Sequence, residues 1–396
     1  MKTSLRPASI AFLLLILASG DLGITAGESP PEGSGVLRDA RLLRFPDIHK
    51  DRIVFCYAGD LWTVPVSGGQ AVRLTTSEGL ELFPRFSPDG RWIAFTGHYD
   101  GSSDVYAIPA AGGIPRRLTW FPSRTNSERM GFDNMVIGWT PEGRILFRSQ
   151  RGPMGGFVGE PCTVAPEGSA VERFPLPESG IISFSPDGGR IAFNRIFRDF
   201  RTWKRYRGGM AQDVWIYGLK DRTLERITDW EGADLQPQWI GDSIYFVSDR
   251  EDWKLNLWRY ETATKRTTRV TAFTEYDVKW PHAGTGRIVL ENGGWLYVLD
   301  PPAGKPQKVV VDIPDDRKLV RSRWVDVVGS ISDFALAPGG QRAVFTARGD
   351  IFTAPAENGN TRNITATQGV REKNGVWSPD GRWIACISDA SGEEEL

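Results

Sequence analysis

The chain has 396 residues, 40% hydrophobic and 24% charged, with 48 Lys+Arg against 49 Asp+Glu and a formal net charge of −1. That is ample apolar material for a packed core, which excludes a disordered or fibrous chain. The balanced charge offers no basic field for nucleic acid, so no nucleic-acid partner is expected. The 44 Gly, 26 Pro and 15 Trp point to frequent turns and many short strands.

At the N-terminus, Lys2 and Arg6 precede an unbroken apolar run from Ile10 to Ala18. A membrane span needs about 20 apolar residues, so this run is too short to cross. Basic start, short apolar run and following small residues are the layout of a signal peptide. Residues 1–26 are therefore expected to be a signal peptide, cut between residues 20 and 27, and 27–40 a flexible lead. The mature chain is expected in the periplasm or outside the cell, with the cytoplasm as the alternative and no membrane span.

From residue 40 onward the sequence repeats. Ser-Pro-Asp-Gly occurs at 87–90, 185–188 and 378–381, with weaker copies at Thr140–Gly143 and Ala337–Gly340. Proline presets φ, Asp bonds its own backbone and Gly supplies positive φ, so each copy predicts a tight turn between strands. A basic residue and a short apolar strand follow, as in Arg91-Trp-Ile-Ala-Phe and Arg382-Trp-Ile-Ala-Cys. A further strand opens on an acidic or amide residue before an aromatic: Asp60-Leu-Trp62, Asp104-Val-Tyr106, Asp213-Val-Trp215, Asn256-Leu-Trp258, Asp350-Ile-Phe352. Each unit closes on a short strand such as Arg73-Leu-Thr75, Arg117-Leu-Thr119, Arg226-Ile-Thr228, Arg269-Val-Thr271 or Asn363-Ile-Thr365. Asn363-Ile-Thr365 also fits a glycosylation acceptor, but its place in the repeat favours the strand.

Units of about four strands and roughly 40–55 residues have the spacing of propeller blades. The expected fold is all-β: a six-bladed β-propeller over 41–313, a linker over 314–323, and about one and a half blades of a second β-propeller over 324–396. The charged stretch Pro314-Asp-Asp-Arg-Lys318 sets that boundary; a continuous eight-bladed ring is the alternative. The last unit stops half way, which is expected of a fragment of a longer protein with an unpaired strand at 382–387.

Chemistry-bearing motifs are sparse. Cys56, Cys162 and Cys386 are far apart, expected as small buried side chains rather than a disulfide or metal site. His49, expected in a turn, His98, at a strand end, and His282, beside a hairpin, show no metal-ligand spacing, and no G-x-S-x-G elbow occurs. No metal, no cofactor and no catalytic residue are expected here. The densest charge cluster joins Arg195, Arg198, Arg201, Lys204, Arg205 and Arg207 with Phe197, Phe200, Trp203 and Tyr206. It reads as an insertion whose aromatics pack inward, as a surface for acidic peptide ends or another domain, or, least of all, as a base-stacking surface.

Three segments resemble tricorn-type serine proteases: Pro46-Asp-Ile-His49 with Asp60-Leu-Trp62; Trp203-Lys-Arg-Tyr-Arg-Gly-Gly209 leading into Asp213-Val-Trp-Ile216; and Arg348-Gly-Asp-Ile-Phe352. The likeness covers about residues 40–396. It implies a six-bladed and a seven-bladed propeller ahead of PDZ and protease domains that this chain lacks. The implied activity is cleavage of peptides, with the propellers controlling substrate access and product exit. A basic pair of the family that holds the peptide carboxylate falls on Glu128-Arg129, so Arg129 is the implied substrate-binding residue. Implied partners are peptides, the missing C-terminal domains, and further copies of the chain as a homo-oligomer. The alternatives are a TolB-like interaction propeller without activity and the propeller of a dipeptidyl-peptidase-like enzyme.

Overall fold

The computed structural model describes residues 35–123, 132–151, 159–200, 205–302, 304–316 and 324–396. The signal-peptide expectation falls outside them. The chain divides into two compact units, one ending at Asp316 and one beginning at Arg317.

In the first unit six four-stranded antiparallel sheets follow one another, each in sequential strand order, and are numbered here as blades 1 to 6. Their first strands are Arg44–His49, Leu80–Phe86, Met135–Trp139, Ile182–Phe184, Asp234–Ile240 and Val278–Gly284. Each first strand contacts that of the next blade, and blade 6 returns to blade 1. These strands therefore form the inner wall of a closed six-membered ring, the β-propeller expected from the repeats.

A separate three-stranded sheet ties the ends of the ring. Val36–Leu37 runs antiparallel to Val311–Pro314, which runs parallel to Gly69–Gln70 of the blade 1 segment. Ion pairs reinforce it: Arg38 with Asp312, and Lys308 with Asp39 at 2.6 Å.

The repeat residues lock together in defined ways. In the turn at 87–90, Gly90 donates to the Ser87 carbonyl at 2.8 Å with φ +73°, and Asp89 accepts from the Ser87 hydroxyl at 2.6 Å. The acidic residue opening the third strand meets the Arg and Thr that close the fourth. In blade 2, Asp104 accepts from Arg117 and Thr119, both at 2.6 Å, while Thr119 accepts from the Val105 N–H at 3.0 Å. The same threonine contact recurs at Thr75, Thr228, Thr271 and Thr365. Buried polar groups need partners, and these two recurring residue types supply them to each other.

The second unit holds one four-stranded sheet, starting at Ile331–Leu336, and a two-stranded sheet of Glu372–Trp377 and Ile384–Ser388. Asn363 is an exposed strand residue that accepts from the Ala366 N–H.

Four expectations need correcting. Residues 36–40, expected in the flexible lead, are ordered: Val36–Leu37 pairs with the end of the ring and Ala40 is buried. The strand expected to be unpaired at 382–387 is Ile384–Ser388, which pairs with Glu372–Trp377 on one side. Cys56 and Cys162 are buried and burial pushes both thiols up, but Cys386 is part-exposed, because its strand belongs to a sheet of only two. His49 ends the first strand of blade 1 rather than lying in a turn, and His282 lies within the first strand of blade 6 rather than beside a hairpin. Among the described residues no helix is long and apolar enough to cross a membrane, and no group of His, Cys, Asp and Glu is placed to hold a metal.

Candidate functional site at the propeller axis

The site begins with a proline. Four inner strands carry one in mid-strand: Phe45-Pro46, Phe83-Pro84, Gln236-Pro237 and Trp280-Pro281. Proline has no N–H for the strand ladder and discourages a helical conformation in the residue before it. The register slips at each of these places, between Arg44 and Asp47, Leu82 and Arg85, Leu235 and Gln238, and Lys279 and His282. The residue ahead of each proline takes left-handed φ: +54° at Phe45, +55° at Phe83, +54° at Gln236 and +48° at Trp280. Such backbone costs on the order of 1–3 kcal/mol per residue and persists only where packing fixes it.

The packing that fixes it is an aromatic cluster. The rings of Phe45 and Phe83 lie 4.3 Å apart, and that of Trp280 lies 5.0 and 5.6 Å from them. Phe200, from the insertion between the second and third strands of blade 4, reaches Phe83 of blade 2 at 5.9 Å and Trp280 of blade 6 at 5.5 Å. Phe132, just ahead of blade 3, meets Phe83 and Phe200, each at 5.6 Å. Blades 2, 4 and 6 are alternate members of a six-membered ring, so their side chains meet only at its axis. The axis is therefore filled by rings at this level. Aromatic pairs at these separations contribute about 0.5–1.5 kcal/mol each beyond area burial.

Blade-to-blade hydrogen bonds hold the bulges. Gln236 accepts from the Trp280 N–H at 2.8 Å, Asn194 from the Gln236 N–H at 2.9 Å, and Glu291 of blade 6 from the Phe45 N–H. Glu291 also binds Arg44 at 3.0 Å; burial pushes its carboxyl up to about 7, against the pull of Arg44. The residues after the prolines are polar. Asp47 and His282 lie 2.5 Å apart with Arg85 close by. Burial lowers the His282 pKa, and the adjoining Asp47 carboxylate pulls the other way.

Beside the aromatic cluster lies a cavity of about 130 Å3 between the blade 4 insertion, the start of blade 5 and the start of blade 6. Asp199 lies on its wall, pushed up to about 6 by burial. Arg198 donates to the Met210 carbonyl at 2.6 Å and stacks over Tyr206 at 4.3 Å.

Of the insertion residues singled out in the sequence, Phe197 is buried and Phe200 joins the axis, the inward-packing reading. Arg195 pairs with Glu178 and Arg207 with Glu231. Arg201, Trp203, Lys204 and the implied substrate residue Arg129 lie outside the described residues. Sequence reasoning missed Phe45, Phe83 and Trp280; the signal was an aromatic directly before proline, repeated at blade spacing.

The model of the tricorn protease N-terminal β-propeller domain matches residues 40–305. The chain belongs to this family. It is 31% identical over 375 residues to tricorn protease homolog 1 of Streptomyces coelicolor, covering 89% of this chain and 33% of that protein. It is 28% identical over 321 residues to the tricorn protease of Thermoplasma acidophilum, covering 78% of this chain and 28% of that one. A crystal structure of the tricorn protease superposes over 88% of the chain and 33% of its own with a TM-score of 0.72 at 24% identity, a likeness of fold. This tricorn-family chain thus spans about a third of the length of the curated relatives it matches.

Proposed function

We propose that the chain is the non-catalytic propeller portion of a tricorn-like serine peptidase, and that the propeller governs passage of peptides to or from a protease core. The observation that carries this reading is the axis filled by Phe83, Phe200 and Trp280 in a propeller of this family. A closed axis admits a peptide only when a ring moves. Phe200 sits in an insertion outside any strand, so it is the ring that moves. PDZ and protease domains, peptides and a homo-oligomeric assembly are partners in this proposal, and export after cleavage between residues 20 and 27 is its cellular setting.

Arg129 has a role in the same reading: it holds the free carboxylate of a threaded peptide. A charge-assisted hydrogen bond contributes about 1.5–3 kcal/mol, or roughly 10- to 150-fold in binding. The test is kcat/KM for paired acid and amide peptides in the peptidase that contains this chain. Arg129→Ala should lower the acid-to-amide ratio, toward the low end because Glu128 adjoins it, and Phe200→Ala should raise turnover of both. The purified chain alone should hydrolyse neither. An unchanged ratio removes Arg129 from the account, and unchanged turnover in Phe200→Ala removes the gate.

A further inference from the structure

We propose that the cavity beside the axis is a binding site for a small zwitterionic α-amino acid, its ammonium group at Asp199 and its carboxylate at Arg205 and Lys279.

The argument starts from which charges are already used. Asp249 accepts from the Trp230 indole at 2.8 Å and the Ala233 N–H at 2.9 Å, and Asp277 accepts from the Leu255 N–H at 3.2 Å. Arg198 is taken by the Met210 carbonyl. Asp199 is different. Its Oδ1 accepts from Gln236 at 3.1 Å and Gln212 stands beside it, but the buried Oδ2 has no hydrogen-bond partner among the described residues. A buried acceptor left without a donor is costly, and a ligand N–H relieves that cost.

Opposite charge lines the cavity as well, though Lys279 also acts on the buried Glu291 carboxyl. Arg205 and Lys279 are both exposed, both line the cavity, and neither forms an ion pair among the described residues. Tyr206, Trp253 and Trp280 complete the wall, and aromatic faces attract a desolvated ammonium. One unsatisfied acceptor and two unpaired cations call for a ligand with a donor cation and an anion. An apolar cavity of about 150 Å3 holds benzene, so about 130 Å3 suits alanine, which has the same number of heavy atoms.

Calorimetry on the 396-residue chain tests the site with three probes: L-alanine, N-acetylalanine without the ammonium, and alaninamide without the carboxylate. Alanine should bind at pH 7.5 roughly tenfold or more tightly than either analogue. Asp199→Asn, which keeps the shape and an acceptor for Gln236, should reduce alanine affinity to that of N-acetylalanine. Lys279→Gln or Arg205→Asn should reduce it to that of alaninamide. Affinity should also fall as pH drops through about 6, where Asp199 gains its proton. The other charged groups around it are Arg148, whose charge favours the ionised carboxyl, and Arg198, Arg205, Asp249, Asp277 and Lys279 on the cavity wall. Lys265→Gln, remote and paired with Glu225, serves as control and should change nothing. Equal binding of all three probes, no binding of alanine at about 10 mM, or an Asp199→Asn protein that binds alanine undiminished would overturn the site. These measurements read the cavity without a peptidase, so they stand or fall apart from the proposed gate.

Discussion

The same tetrapeptide, Arg-Trp-Ile-Ala, occurs at 91–94 in blade 2 and at 382–385 in the second unit. In blade 2, Ile93 and Ala94 are fully buried; in the second unit Ile384 is part-exposed, Ala385 exposed, and Trp383 is 73% exposed. The turn ahead of both is the same, with Ser87 bonded to Asp89 and Ser378 to Asp380. The inner strands diverge in the same way: Phe83 is 0% exposed and Phe334 is 72% exposed. Turn and strand follow from local sequence, whereas burial comes from neighbouring blades, which blade 2 has on both sides.

The largest expected effect tests that contrast. Phe83→Ala should cost about 3–5 kcal/mol in denaturant unfolding of the first unit, because it empties a packed site on the axis. Phe334→Ala should stay within about 0.5 kcal/mol, as an exposed substitution does. Similar costs at the two sites would mean that the second unit buries its inner strand in solution.

A smaller effect concerns pH. The Glu291 carboxyl is raised to about 7 in the folded ring, so the native state binds the extra proton between the ordinary glutamate range and pH 7. Its contribution to stability therefore falls as pH rises through that window, by up to about 1.4 kcal/mol per unit. His282, lowered by burial, opposes this, since its contribution is lost as pH falls below the ordinary histidine value. Glu291→Gln removes the first term alone. The first unit of this variant should lose stability more steeply than the parent as the pH falls from 7 to 5, as measured by urea unfolding at fixed ionic strength. A profile identical to the parent would show that Glu291 titrates alike folded and unfolded.

The smallest effect should be the same in both units. Asp89 and Asp380 are each held below the usual carboxylate range by their serine and by the N–H two residues on. Asp89→Ala and Asp380→Ala should cost small and equal amounts in thermal unfolding of their own units. A large cost at Asp89 alone would show that ring packing, not the turn, uses that side chain.

These contrasts also mark what was legible in the sequence. Ser-Pro-Asp-Gly, Asp-x-aromatic and Arg-x-Thr are local or bond to one another within a blade, so the repeat betrayed the strands, the turns and the all-β propeller. The axial cluster joins Phe45, Phe83, Phe132, Phe200 and Trp280, which are far apart in the chain and meet only because the ring closes. No spacing rule encodes that meeting. The exposure of Cys386 was hidden for the same reason: its sequence matches a buried strand, and only the count of neighbouring strands sets it apart.

The most direct test of the filled axis is photocrosslinking from position 200. A benzophenone-bearing phenylalanine analogue replaces Phe200 in the full chain, and the crosslinked peptides are identified by mass spectrometry after illumination. The axial arrangement predicts crosslinks to the peptides carrying Phe83 of blade 2 and Trp280 of blade 6, across the ring from blade 4. Crosslinks confined to the adjacent blades 3 and 5 would contradict it.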